Sequence, residues 1–145
     1  MKALLQKVKT ASVRIENKKY SSIDSGLLIF LGVEKSDEKI NADQLAEKIL
    51  KFRIFEDENQ KMNLSVKDIS GNILIVSQFT LCADCRKGTR PSFDNSAPPD
   101  KAIQLYEYFI NLMKNSGLKI QTGKFGADMQ IEIINAGPVT FMLEK

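Results

Sequence analysis

The sequence predicts a single compact α/β domain, with mixed β-sheets in barrel-like layers and two main helices packed on one side. Three observations carry that reading. Apolar runs of strand length outnumber all others, and only two segments repeat their apolar residues at helical spacing. No linker, internal repeat or low-complexity stretch interrupts the 145 residues, a length that suits one domain with a substantial core. Apolar residues make up 43% and charged residues 27%, close to the globular average, which excludes a disordered chain. The domain is expected to span residues 1–145.

In chain order, residues 2–9 and 12–16 read as strands, and Asn17-Lys18-Lys19 closes a hairpin into 20–23. Leu27-Leu28-Ile29-Phe30-Leu31 is an apolar run between Gly26 and Gly32, so a strand buried on both faces is expected. Ser36 and Asp37 are N-cap candidates for a helix reaching about Phe52, with Ala42, Leu45, Ala46, Ile49 and Leu50 at helical spacing. Arg53-Ile54-Phe55 reads as a short strand and 56–63 as a polar loop. Ser70-Gly71-Asn72 turns into the strand Ile73 to Phe79, the most strand-like run in the chain. A loop with Gly88, Pro91 and Pro98-Pro99 leads to a helix over 99–115, which places Ile103, Tyr106, Ile110 and Met113 on one face and stops at Gly117. Residues 118–122, 129–135 and 139–143 read as strands, with a Gly137-Pro138 turn between the last two.

Several function classes fall away on composition. No apolar run approaches the roughly 18 residues of a membrane span, and the N-terminus lacks the apolar length of a secretory signal, so a cytoplasmic location without membrane partners is expected. The net charge of +3 permits an RNA substrate without requiring one. Two cysteines cannot form a disulfide scaffold. Histidine is absent, which removes Ser-His-Asp and Cys-His catalysis, the usual zinc ligand and the commonest neutral-pH base. No cofactor and no metal site is expected.

Chemistry has three candidate places. Ser77, Gln78 and Thr80 stand where an apolar strand runs into a loop, a position that combines rigidity with access, and freed backbone N–H groups there suit an oxyanion. Ordinary capping of the strand end explains the same residues. At Gly137-Pro138 a cis bond would set two carbonyls side by side to accept from an ammonium group. The base rate, about 5–6% cis for X-Pro, favours trans. Arg86, Lys87 and Arg90 surround Gly88 on a loop, which suits phosphate contacts as well as a plain solvated surface. Phe93 is the one aromatic nearby. Cys82-Ala83-Asp84-Cys85 has Cys-x-x-Cys spacing but neither a second pair nor a helix N-terminus behind it.

Ser77-Gln78-Phe79-Thr80 together with Asn135-Ala136-Gly137-Pro138-Val139-Thr140 resembles the paired signature of D-aminoacyl-tRNA deacylases. The similarity covers essentially the whole chain, including Lys61-Met62-Asn63-Leu64-Ser65, Arg90-Pro91-Ser92-Phe93 and Phe125-Gly126-Ala127-Asp128-Met129. The resemblance implies a hydrolase of the ester between tRNA and a D-amino acid, acting also on glycine mischarged to tRNA. It implies a homodimer with its active site at the subunit interface, where Gly137-Pro138 is cis and excludes L side chains. Ser77, Gln78, Phe79 and Thr80 are then the catalytic group, with the Phe79 and Thr80 amides near the ester. Phe125 and Met129 belong to the substrate pocket, which also takes the terminal adenosine. Cys82 and Cys85 stand where the family more usually has other residues, which bears only on packing after Thr80.

The rival readings are a non-catalytic RNA-binding module, a related editing enzyme for L-alanine on tRNA, and a redox protein built on Cys82 and Cys85. Ester turnover, chirality and thiol alkylation respectively separate them.

Overall fold

In the computed structural model, which describes residues 1–145, the strand-length runs become eight strands and the two helically spaced segments become two helices. They are β1 (Lys2–Ile15), β2 (Lys18–Ile23), β3 (Gly26–Gly32), α1 (Lys39–Lys51), β4 (Phe55–Glu56), β5 (Met62–Leu64), β6 (Asn72–Ser77), α2 (Pro99–Lys114), β7 (Ile120–Thr122) and β8 (Gln130–Glu144). The main sheet runs β2-β1-β3-β6-β7, and β8 pairs β1. One edge of β1 is taken by β8 over nearly its whole length, while β3 and β2 share the other edge. The sheet therefore curls towards a barrel. β4 and β5 form a separate hairpin.

β3, β6 and β7 are parallel, so each joining segment must cross over, and helices α1 and α2 make those crossings. Crossovers of one hand put both helices on the same face of the sheet. Leu27, Ile29, Ile73 and Ile75 point at that face and pack with Leu45 and Ile49 of α1 and with Phe109 and Met113 of α2. Leu28, Leu74 and Val76 point the other way and join Val8, Ala11, Val13 and Ile23 inside the curl. A strand buried on both faces has no polar positions to alternate with, which is why the 27–31 run is continuous. Each fully buried Leu or Ile contributes about 1.5–3 kcal/mol.

Five expectations need correction. Residues 2–15 are one bent strand, not two: the register against β8 slips between Gln6 and Val8 and again before Thr10, and these bulges absorb the phase change that looks like a break. The C-terminal pair of strands is likewise one strand. Thr140 faces Gln6 and Asn135 faces Val8, so Gly137-Pro138 sits in a bulge of β8 opposite Lys7 rather than in a hairpin turn. The N-cap of α1 is Glu38, whose N–H donates to Asn41 Oδ1 at 2.8 Å. Asp37 is buried and already committed to the Met1 ammonium and the Glu34 N–H. Finally, β6 ends at Ser77, and Phe79–Cys82 forms a 3-10 turn. The polar loop 56–63 also hides β5, a strand too short and exposed to alternate.

Candidate active site

The parallel ladder of β3 and β6 ends at Leu31 opposite Ser77. One further bond, Gln78 N–H to the Leu31 carbonyl at 2.8 Å, holds the chain before it folds back as the 3-10 turn. That fold-back needs Gly32: a Cβ there would lie 2.9 Å from Cys82 Sγ and 3.1 Å from the Gln78 carbonyl oxygen. The turn leaves its first two amides, Phe79 and Thr80, with no backbone carbonyl to donate to, as the geometry of a helical start requires.

Beside this turn opens a cleft of about 620 Å³. Val76, Ser77, Gln78 and Phe79 line it, together with Phe125, Gly126, Ala127 and Met129 from the segment before β8 and Pro99, Ala102 and Tyr106 of α2. The lining is largely apolar with a few polar groups at one end, the usual character of a small-molecule site. Phe79 is 59% exposed at its mouth and Tyr106 only 3% at its base.

The Tyr106 hydroxyl donates to the Ile75 carbonyl at 2.9 Å, which also accepts from the Gly123 N–H at 2.8 Å. The Ser77 amide lies against the same hydroxyl. Tyr106 thus adds a second donor to the last bonded carbonyl just where β7 has ended. Burial pushes its phenol pKa up, against a smaller opposing pull from the Ser77 amide, so it is a neutral donor and no acid-base group. Thr80 is exposed, and its Oγ1 accepts from Gln78 Nε2 at 2.6 Å. No carboxylate bonds to that hydroxyl, so nothing there would draw off its proton.

Of the residues singled out from sequence, Ser77, Gln78, Phe79, Phe125 and Met129 meet in the cleft. Thr80 is the second residue of the turn and does not line the cleft. Gly137 and Pro138 are exposed on the β8 bulge, away from the cleft of their own chain, and the bond between them is cis, where the base rate alone favours trans. Gly137 has φ +124°, and a Cβ there would meet Val139 Cγ2 at 2.7 Å and Val139 N at 2.9 Å.

Asp84 and Ser92 exchange both backbone bonds, at 2.8 and 3.0 Å, and close a small hairpin whose tip carries Arg86, Lys87 and Arg90. Arg86 donates to Asp84 through Nε at 2.9 Å and Nη2 at 2.6 Å, and these bonds hold the Asp84 carboxyl well below the usual range. Two of the three cations, Lys87 and Arg90, remain exposed without an ion-pair partner. Cys82 and Cys85 are both free thiols, the first buried and the second exposed. Burial pushes the Cys82 thiol up to about 11, the reverse of what a redox pair needs. No three Cys, Asp or Glu side chains converge as a metal site would require.

Sequence reasoning placed Tyr106 on a helix face but gave it no part in the site. The available signal was a phenol among apolar core positions, since a buried hydroxyl must find a partner.

The chain matches the family described as D-Tyr-tRNA(Tyr) deacylase over residues 4–144. It is similar to the D-aminoacyl-tRNA deacylase of Thermosipho africanus, 57% identical over 145 residues, covering 100% of this chain and 97% of that protein. The corresponding protein of Geotalea daltonii is 56% identical over 144 residues, covering 99% and 96%. Among solved structures, one described as c-Myc DNA Unwinding Element Binding Protein aligns with TM-score 0.95 at 40% identity, covering 100% of this chain and 99% of that one. Another, a probable eukaryotic D-amino acid tRNA deacylase, aligns at 0.85 and 17% identity, covering 99% and 98%, a likeness of fold alone. No helix of the chain is long and apolar enough to cross a membrane.

Proposed function

Because the chain belongs to the D-Tyr-tRNA(Tyr) deacylase family, we propose that it hydrolyses the ester joining a D-amino acid to the 3′ end of tRNA, in the cleft beside Ser77–Thr80. Water adds to the acyl carbon, the bond to the ribose oxygen breaks, and free tRNA and D-amino acid leave. The observation that carries this reading is the pair of unpartnered amides, Phe79 and Thr80, next to an apolar cleft large enough for an aminoacyl-adenosine end. Such donors stabilise the negative oxygen of a tetrahedral intermediate. An aminoacyl ester is already labile, so positioning and these donors suffice without histidine. The ribose 2′-hydroxyl serves as the assisting group, because the Thr80 hydroxyl has only an amide N–H as partner.

The finer reading follows the family. Two copies form a dimer, and Gly137-Pro138 of one copy reaches the cleft of the other, where its carbonyls meet the substrate's α-amino group and exclude an L side chain. Exclusion of this kind does not select among D side chains. It also leaves glycine esters open to hydrolysis. Lys87 and Arg90 contact tRNA phosphates, with Arg86 partly neutralised by Asp84. The domain works as one unit over residues 1–145 and acts without cofactor.

The name of the relative at 40% identity speaks of binding a DNA element, so nucleic-acid binding without turnover is the second reading. The test is hydrolysis of D-tyrosyl-tRNA and L-tyrosyl-tRNA by the purified protein, side by side. Turnover of the D ester with the L ester intact is expected. Equal turnover of both removes the chiral filter, and binding without turnover of either favours the second reading.

A further inference from the structure

Phe79 and Phe93 form a pair of tilted rings, with centroids 5.0 Å apart and planes at 53°. Both are unusually open for their size, 59% and 39% exposed. Large aromatic rings left in water are informative, because burying them elsewhere would stabilise the fold. Local bonds fix this pair in place. The Ser96 N–H donates to the Phe93 carbonyl at 2.9 Å, and the Asp84–Ser92 bonds anchor the chain just before Phe93.

Two further facts say what such a surface fits. Phe79 also lines the cleft, so a chain leaving the cleft past the turn passes over its ring. Beyond Phe93 stands the hairpin tip with Lys87 and Arg90, exposed and free of ion pairs. An aromatic face followed by unpaired cations matches the stacked bases and backbone phosphates of a single-stranded nucleic acid.

We infer that the Phe79–Phe93 pair is a stacking platform for a nucleobase of the single-stranded 3′ end, immediately before the terminal nucleotide held in the cleft. This rests on the deacylase reading above and adds a second subsite to it. Stacking of this kind is tolerant of base identity, because every base offers a π face. The platform therefore strengthens binding of any tRNA end and contributes little to choosing among them.

The experiment compares the wild-type protein with Phe93→Ala and Phe93→Trp on two substrates, D-tyrosyl-tRNA and the truncated ester D-tyrosyl-adenosine. For Phe93→Ala, KM for the tRNA ester is expected to rise on the order of 10- to 100-fold, the scale of a lost base stack, while KM for the adenosine ester stays as in wild type. Phe93→Trp should restore the tRNA value. An equal rise for both substrates, or no rise for either, overturns the inference. Turnover of the adenosine ester reports that the variant is folded. Sedimentation of Phe93→Ala supplies a separate check: a change of oligomeric state would assign the rings to contact between copies and overturn the platform. Should wild type cleave neither ester, the deacylase reading fails. The platform is then judged by the affinity for uncharged tRNA, which Phe93→Ala must weaken by the same factor.

Discussion

The hydroxyl of Tyr106 reinforces the end of a strand ladder. β7 stops at Thr122, two residues short of the end of β6, and the phenol of α2 is a second donor, beside the Gly123 N–H, to the Ile75 carbonyl at that last pair. Removing that oxygen while keeping the ring tests its role. Tyr106→Phe is expected to cost about 1 kcal/mol, a fall in Tm of about 2–4 °C. It should lower kcat on the order of 10-fold or more by loosening the strand end that carries Ser77–Phe79, with KM little changed. Steady-state kinetics and thermal unfolding of the same preparation check both parts. Thr80 makes the opposite case. Its hydroxyl is exposed and held by an amide donor, so Thr80→Ala should keep most of its turnover of D-tyrosyl-tRNA. A fall of roughly 100-fold or more, the scale of a direct proton-transfer role, would make Thr80 a reacting group.

Among the elements, the β8 bulge is held by the backbone of Gly137. With φ +124° and Val139 N 2.9 Å from any added Cβ, Gly137→Ala is expected to destabilise by about 1–3 kcal/mol. It should also shift the bulge, reducing turnover of the D ester, as urea unfolding and the same assay would show. Pattern made much of the fold legible in advance. The two helices and the doubly buried β3 follow from apolar periodicity, and Ser77, Gln78 and Thr80 stood out as polar residues ending an apolar strand. What stayed hidden has physical causes. A bulge shifts the phase of alternation, so the continuous strands β1 and β8 each read as two. β5 has no buried face to alternate with. Tyr106 on the inner face of α2 has the ordinary pattern of a core residue, and only its tertiary partner, the end of β6, makes it part of the site. Chemistry marked Gly137-Pro138 as a candidate place, but its base rate favoured trans, and only the resemblance pointed to the cis bond.

For the molecule as a whole, acid stability follows from carboxylates that serve the backbone. Asp68 accepts from the Ser65 hydroxyl at 2.7 Å and the Ser65 N–H at 2.8 Å, and Asp57 accepts from the N–H groups of Lys61 and Asn59. Both pKa values are lowered, Asp68 chiefly by the Ser65 hydroxyl and Asp57 chiefly by the Lys61 amide. A folded value below the unfolded one adds stability above the unfolded pKa of about 3.9, and that stability is lost as pH falls through the folded value. The urea midpoint should hold steady from neutral pH to about pH 5 and decline below about pH 4. Replacing Asp57 and Asp68 with Asn should flatten the decline. The pairing of β1 with β8 has a consequence of another kind. Lys2 lies opposite Glu144, so β1 leaves the ribosome long before the strand it pairs with. Contacts so distant in the chain give a high contact order and slow folding, towards milliseconds to seconds. Until β8 arrives, one edge of β1 stands open in the nascent chain, a template for wrong pairing. Speed of translation and chaperone access during that interval are therefore expected to govern how much of this protein reaches its native state.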